Sequence, residues 1–222
     1  MDDTSLSAQS LTRADCTRAG PMVLTDCVLA EVDLSGLDLT GWRFERCDLR
    51  HANLAGARLE GSVWRSCRAG MAGFVGADLT DAAFASCDLN NSAWRGARLN
   101  DARFNGCKLT GADLSEARAM GVVFEETLLT GAKMPGYSFR RQTLRRVDLG
   151  QADLRKADFR EAVLEGCSLR DANLAGAHFE KADLRGADLG GLELNEARLF
   201  RGATISREQA GQLLAQLGLK LG

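Results

Sequence analysis

The chain has 222 residues, 45% hydrophobic and 26% charged, with 28 basic against 30 acidic side chains and a formal net charge of −2. That balance excludes a protein that grips nucleic acid by sheer positive charge, and no stretch approaches the roughly 18 apolar residues of a membrane span. Seven cysteines, an odd number and widely scattered, match neither a zinc finger nor a closed disulfide framework; many free thiols fit a reducing compartment.

The first ten residues, MDDTSLSAQS, lack the basic and apolar stretches of a signal peptide, so a cytoplasmic location is expected. Leu6, Leu11 and Cys16 are spaced by five, with Ala14 two before Cys16, but they are out of step with Leu24 and everything after it. Residues 1–21 are therefore read as an N-terminal coil or cap, reconciled with the body by a short insertion or bulge around Arg18 to Pro21.

From residue 22 to 205 the chain repeats. With few exceptions every fifth residue is large and apolar: Leu24, Leu29, Leu34, Leu39, Phe44, Leu49, and onward in the same phase to Leu199. Two residues before each stands a small one, as in Ala52-Asn53-Leu54, Ala77-Asp78-Leu79 and Ala152-Asp153-Leu154. Cys27, Cys47, Cys67, Cys87 and Cys107 occupy this small position at a constant interval of four such units, and Cys167 lies three intervals further on. That spacing brings thiols together only if the backbone returns to one place once per interval, the mark of a solenoid.

In extended chain, residues i and i+2 point the same way. The small and the large residue therefore face inward, the residue between them faces out, and two remain to turn a corner. The second corner residue is often glycine, as at Gly36, Gly41, Gly56, Gly61 and Gly76, which suits a left-handed backbone. Each unit of five makes one side, and four units close a coil. The fold class expected is all-β, a quadrilateral parallel β-helix of nine to ten coils stacked about 4.8 Å apart, so its regular body is about 43 Å long. Aromatic columns at Phe44, Trp64, Phe84, Phe104 and Phe124, and at Phe139, Phe159 and Phe179, are core. The six cysteines form a buried structural ladder, since alanine fills the same position on other sides.

Residues 119–147 weaken the pattern. Ala119, Tyr137 and Gln142 stand at inward positions of unexpected size or polarity, and Pro135 removes a backbone donor beside Met134. Phase is kept, which favours a distorted coil over a long projecting loop. After the repeats, Ser206 and Gln209 read as a capping box, Glu208 suits a first turn, and Ala210, Leu213, Leu214 and Leu217 recur at helical spacing before Gly218. Residues 206–222 are thus a short capping helix with a tail, and Leu217, Leu219 and Leu221 add apolar surface beyond what one small cap needs.

The A(D/N)Lxx period over residues 22–203 resembles the pentapeptide-repeat family, whose fold is a right-handed quadrilateral β-helix. The C-terminal helix and tail resemble the gyrase-protecting quinolone-resistance branch, the Qnr and MfpA type. That resemblance implies a homodimer of about 90 Å, twice the length set by the strand spacing, joined end to end through Leu213, Leu214, Leu217, Leu219 and Leu221; a monomeric cap is the alternative. It also implies a DNA-mimicking protein that binds DNA gyrase, with topoisomerase IV as a second candidate, and protects it from quinolones, albicidin or other poisons. A different function is an interaction scaffold for another cytoplasmic protein.

Catalysis has no support: His51 and His178 are both expected outward, no nucleophile–base pair or metal set assembles, and the glycines mark corners rather than a phosphate loop. No cofactor and no metal are implied, and direct nucleic-acid binding is not expected. Charge is uneven, with 13 basic and 18 acidic residues up to residue 132 and 9 basic against 5 acidic over residues 133–170. Two columns alternate in sign, Asp48, Arg68, Asp88, Lys108 and Asp38, Arg58, Asp78, Arg98, and read as stacking aids. A third, through Asp33, Asn53, Asp113, Asp153, Asn173 and Glu193, with Glu116 and Glu196 at its corner, is more acidic and is the expected partner-facing surface. The group Arg140, Arg141, Arg145 and Arg146 is read as a solvated band paired with Asp148, Glu126 or neighbouring coils, or else as a grip on an acidic partner or nucleic acid.

Overall fold

The computed structural model describes residues 5–18, 20–192, 197–216 and 218–219. The chain divides into two compact units, Met1–Leu128 and Leu129–Gly222. Both are built from right-handed, four-sided coils of parallel β-structure. Each coil is a parallel crossover, a connection that is right-handed in nearly all proteins because of strand twist.

In the first unit the strands are β1 (Ser5–Ser7), β2 (Val23–Thr25), β3 (Arg43–Glu45), β4 (Val63–Arg65), β5 (Ala83–Ala85), β6 (Arg103–Asn105) and β7 (Val123–Glu125). They pair in order, and their central residues Leu24, Phe44, Trp64, Phe84, Phe104 and Phe124 stand in register, one cysteine interval apart. The other three sides are too short for more than one bridge per coil, for example Asp48 to Arg68, Asn53 to Gly73 and Arg58 to Asp78. Backbone amides bond carbonyls of the adjacent coil throughout, as from Leu49 to Arg68 (2.6 Å) and from Arg68 back to Cys47 (2.9 Å).

The corner rule holds whether or not the residue is glycine. Asp26, Glu31, Gly36 and Gly41 have φ of 53°, 63°, 66° and 71°. Among the described residues no β-branched side chain stands at a corner of positive φ, which is where a second heavy atom on Cβ would clash most.

Apolar burial is continuous along the axis of this unit. The rings of Phe44, Trp64, Phe84, Phe104 and Phe124 stack at centroid spacings of 4.0, 5.3, 4.9 and 5.2 Å. A second pair, Phe74 and Trp94, stacks at 4.1 Å and meets the first column edge-on. The indole N–H groups are satisfied locally: Trp64 donates to Ser62 Oγ (2.9 Å) and Trp94 to Ser92 Oγ (2.6 Å), both inside the core.

The N-terminal coil differs from expectation. Leu6 pairs with Leu24 and Ser10 with Val28, so this coil is shorter than the later ones by two residues rather than extended around Arg18 to Pro21. A 3-10 turn, Ala14–Cys16, buries Cys16 and offers no strand beneath Asp33. Arg13 fills that gap, donating to the carbonyls of Asp33 and Ser35 at 2.9 Å each.

The second unit contains β8 (Thr143–Arg145) and β9 (Val163–Glu165), paired with Leu144 opposite Leu164. Phe139, Phe159 and Phe179 stack at 4.8 Å intervals. Within 119–128 and within 129–147 the five-residue rhythm continues with no loop inserted. Tyr137 is buried at an inward position, and Ala119 and Gln142 are half-buried.

The final coil also departs from the sequence reading. Asp183 bridges Thr204 where the period predicts Ala203, and the corner after Lys181 (φ 61°) comes at Gly202 (φ 74°) rather than Arg201. This coil is one residue longer than the others, and Leu199 no longer carries the earlier phase. Helix α1 (Arg207–Gln216) follows. Its capping box is reciprocal, with the Ser206 amide donating to Gln209 Oε1 (2.7 Å) and the Gln209 amide to Ser206 Oγ (3.2 Å). Gly218 ends it in a Schellman turn, its amide bonding Ala215 O and that of Leu219 bonding Leu214 O, both at 3.0 Å. The Gln209 side-chain amide also donates to Leu184 O and Ala187 O, at 2.7 Å each, on the last coil.

Candidate partner-binding surface

A five-residue side sends one side chain outward, so the surface consists of ladders with one residue per coil. In the first unit Asp48 is the most sheltered charge, 4% exposed. Arg50 grips it with two bonds of 2.9 and 2.7 Å, and Arg68 from the next coil approaches to 3.1 Å. These arginines, Arg50 first, hold its carboxyl below the usual range. Arg58 reaches Asp38 at 3.2 Å, Arg98 reaches Asp78 at 3.1 Å and Arg46 holds Asp26 at 2.8 Å. Opposite charges one coil apart thus join neighbouring coils, as the alternating columns lead one to expect.

In the second unit the grip seen between Asp48 and Arg50 recurs, a device that the column reading missed. Asp153, Asp158 and Asp183 are each held by the arginine two residues later, through bonds of 2.8 and 2.7 Å (Arg155), 2.8 and 2.6 Å (Arg160), and 2.9 and 2.6 Å (Arg185). The signal was legible as a recurring Asp-x-Arg tripeptide. Of the basic group, Arg140 and Arg141 reach Glu161 at 3.5 and 3.1 Å, and Arg145 reaches Glu165 at 3.0 Å, so these three pair with the neighbouring coil.

The expected acidic column is largely compensated. Asp33 accepts from Ser35 and Asn53 at 3.0 Å each and lies 3.7 Å from Arg13. Asp113 lies 3.7 Å from Arg95, and Asp153 is the partner of Arg155 just described. Glu116 is exposed at a corner of φ 61°. Glu193 and Glu196 lie outside the described residues. Gly73 and Ala93 occupy the same ladder between Asn53 and Asp113, so Asp33 and Asp113 are four coils, or about 19 Å, apart. A sparser set was overlooked: Glu60, Asp81 and Asp101 crowd the corner that follows the Asp38–Arg98 side, and none forms a salt bridge among the described residues.

The cysteine ladder is interior. All seven thiols are free and buried. Cys47 Sγ donates to Leu24 O (3.3 Å) and Glu45 O (3.4 Å), and Cys67 Sγ to Phe44 O (3.3 Å). Burial pushes the Cys16 thiol up to about 11 and raises Cys167, while contact with the Cys67 sulfur and burial raise Cys47. Among the described residues no group of three or more His, Cys, Asp or Glu side chains could hold a metal ion. His51 is exposed, and His178 pairs with Glu180 at 3.3 Å.

At the C-terminal end Leu213 is buried, Leu214 is half-buried and Leu219 is 55% exposed. Leu217 and Leu221 lie outside the described residues.

The model of the pentapeptide repeat region matches residues 77–154, and that of pentapeptide repeats, in eight copies, matches residues 23–63 and 162–199. The chain belongs to the pentapeptide-repeat family. Among solved structures, this pentapeptide-repeat protein is similar to full-length QnrB1, a plasmid-mediated fluoroquinolone resistance protein, with a TM-score of 0.66 and 22% identity over 97% of this chain and 100% of that one. It is also similar to HetL of the cyanobacterium Nostoc sp. strain PCC 7120, a pentapeptide-repeat protein involved in heterocyst differentiation regulation, with a TM-score of 0.58 and 26% identity over 82% of this chain and 86% of HetL. No curated protein sequence matches it significantly. Among the described residues no helix is long and apolar enough to cross a membrane.

Proposed function

We propose that this pentapeptide-repeat protein is a DNA mimic that binds DNA gyrase in the cytoplasm and protects it from topoisomerase poisons, giving antibiotic resistance or self-immunity. The observation that carries this reading is the likeness to QnrB1 over nearly the whole of both chains. A duplex bears one charge per roughly 1.7 Å of axis, and the carboxylates best placed to imitate it are the uncompensated ones, Glu60, Asp81, Asp101 and Glu116. Asp33, Asp113 and Asp153 add to the surface where a basic side chain of the enzyme displaces their present partners. A homodimer formed through Leu213, Leu214, Leu217, Leu219 and Leu221 doubles the contact length, with topoisomerase IV as a second target.

The test is a gyrase supercoiling and cleavage assay with and without a quinolone or an albicidin-type poison. Relief of poisoning, or direct inhibition of supercoiling, is the expected result; a purified protein that neither binds gyrase nor alters either activity overturns the reading. A second reading, an interaction scaffold for another protein, is favoured by the formal charge of only −2 and by the arginines that occupy most aspartates. Affinity capture with the intact chain that returns a partner other than a topoisomerase selects it.

A further inference from the structure

Arg118 breaks a rule that the rest of its ladder keeps. From Asp38 to Arg98 the sign alternates, and the pairs close at 3.2 Å for Arg58 with Asp38 and 3.1 Å for Arg98 with Asp78. The next position holds a second arginine. Arg98 bridges Arg118 directly, with the Arg118 amide bonding Ala97 O at 2.9 Å and the Leu99 amide bonding Arg118 O at 2.7 Å. Two guanidinium groups thus leave the backbone about 4.8 Å apart, an arrangement of like charge that opposes folding. Arg118 is exposed and makes no ion pair among the described residues, while Asp78, the carboxylate that pairs with Arg98, lies on the far side of that residue, one coil back.

Both arginines line an open groove of about 460 Å³, together with Arg58, Asp78 and Glu60. Its edge is open on two coils, for at Gly76 and Gly96 a Cβ would meet nothing within 4 Å, while the third residue of that corner, Glu116, is exposed and forms no salt bridge among the described residues. An arginine fork matches the two oxygens of a carboxylate or a phosphate, and paired forks hold such a group in fixed geometry.

We infer that Arg98 and Arg118 form a binding site for a single oxyanion, which supplies the negative charge that the ladder lacks at this coil. Glu60 and Asp78 share the groove and repel a chain of phosphates laid along it, so the ligand carries one isolated anionic group and is not a nucleic-acid strand. The group is a carboxylate or a phosphate monoester. The groove shares Glu60 with the acidic set invoked for gyrase, but the two arginines alone hold the ligand, and the proposal stands whether or not gyrase is the partner.

The experiment is an NMR titration of the intact, isotope-labelled protein with acetate and with inorganic phosphate, at constant ionic strength balanced by chloride. Saturable shifts are expected at the Arg98 and Arg118 side-chain N–H groups and at the Gly96 amide. A response to acetate identifies a carboxylate ligand, and a response to phosphate alone identifies a phosphoryl group. Arg118→Asp restores the alternation: it should lose the shifts and melt a few degrees higher in low salt, roughly the 2–4 °C that about 1 kcal/mol is worth in a chain of this size. Phosphate or acetate should raise the melting temperature of the native protein but not of the variant. Chloride producing the same shifts, Arg118→Asp keeping them, or Arg118→Asp melting lower, each overturns the proposal. Arg118→Gln, which removes charge without adding any, serves if the aspartate variant fails to fold, and must also lose the shifts.

Discussion

The ring of Phe179 stacks on that of Phe200, with centroids 4.9 Å apart and planes within 5°, although Leu199 is the residue that stands one full period on. The column closes only because the last coil has taken in one more residue. Phe179 is fully buried between two rings, whereas Phe200 is half-buried at the end of the stack. Phe179→Ala is therefore expected to cost about 3–5 kcal/mol and Phe200→Ala clearly less, measured by denaturant unfolding followed by circular dichroism. Equal losses would place Phe200 in the interior of the column.

Gln209 links the helix cap to the solenoid edge. Gln209→Leu removes both donations to Leu184 O and Ala187 O and breaks the capping box, for an expected loss of about 2 kcal/mol with faster amide exchange in α1. Gln209→Glu sets a carboxylate against two carbonyls, which raises its folded pKa above the unfolded value. Its penalty is therefore full at neutral pH and shrinks as pH falls through the folded pKa, where the acid can donate. A variant equally unstable at pH 4 and pH 7 contradicts this geometry.

Asp48 has the opposite sign. Arg50 and Arg68 depress its folded pKa below the unfolded one, so the stability it contributes is full above the unfolded value and is lost as pH falls below about 5 through the folded pKa. Asp48→Asn should flatten that part of the acid denaturation curve and lower stability at pH 7. An unchanged acid limb would show that other carboxylates carry it.

Corner residues separate backbone cost from packing cost. At Gly61 (φ 62°) a new Cβ would touch nothing within 4 Å, so Gly61→Val should lose about 1–2 kcal/mol through the left-handed backbone alone. Met71, at φ 60° and 56% exposed, should tolerate glycine at little cost. A destabilising Met71→Gly in thermal melts would mean that its side chain contributes contacts.

The thiol column should be chemically silent. Cys27, Cys47, Cys67, Cys87 and Cys107 are at most 1% exposed, and an aromatic disulfide reagent should react with them only at the rate of unfolding. Full reaction under native conditions within minutes would show that the coils open.

Nearly all of the coil geometry was legible in the sequence, because a period of five nested in one four times as long admits few backbones. Leu24, Phe44 and Trp64 announce one column, and Cys27 and Cys47 confirm the number of sides. Both ends were harder, since there the period itself changes: the coil from Leu6 to Leu24 is shorter than the rest, and the one from Phe179 to Phe200 is longer. Only pairing partners reveal such shifts. The surface was legible by sign but not by partner. Asp153 reads as an acidic position, yet its carboxylate is held by Arg155 two residues away, and long side chains choose among several neighbours by geometry that spacing does not encode.

The two ways of neutralising charge bear on how such a chain can change length during evolution. In the first unit Asp38, Arg58, Asp78 and Arg98 depend on alternation, so losing or duplicating a single coil sets like charges against one another, and only changes of two coils are silent. The Asp-x-Arg pairs, among them Asp153 with Arg155 and Asp158 with Arg160, instead close within one turn. A turn of that kind carries its own counter-ion and can be copied or deleted singly without orphaning a charge.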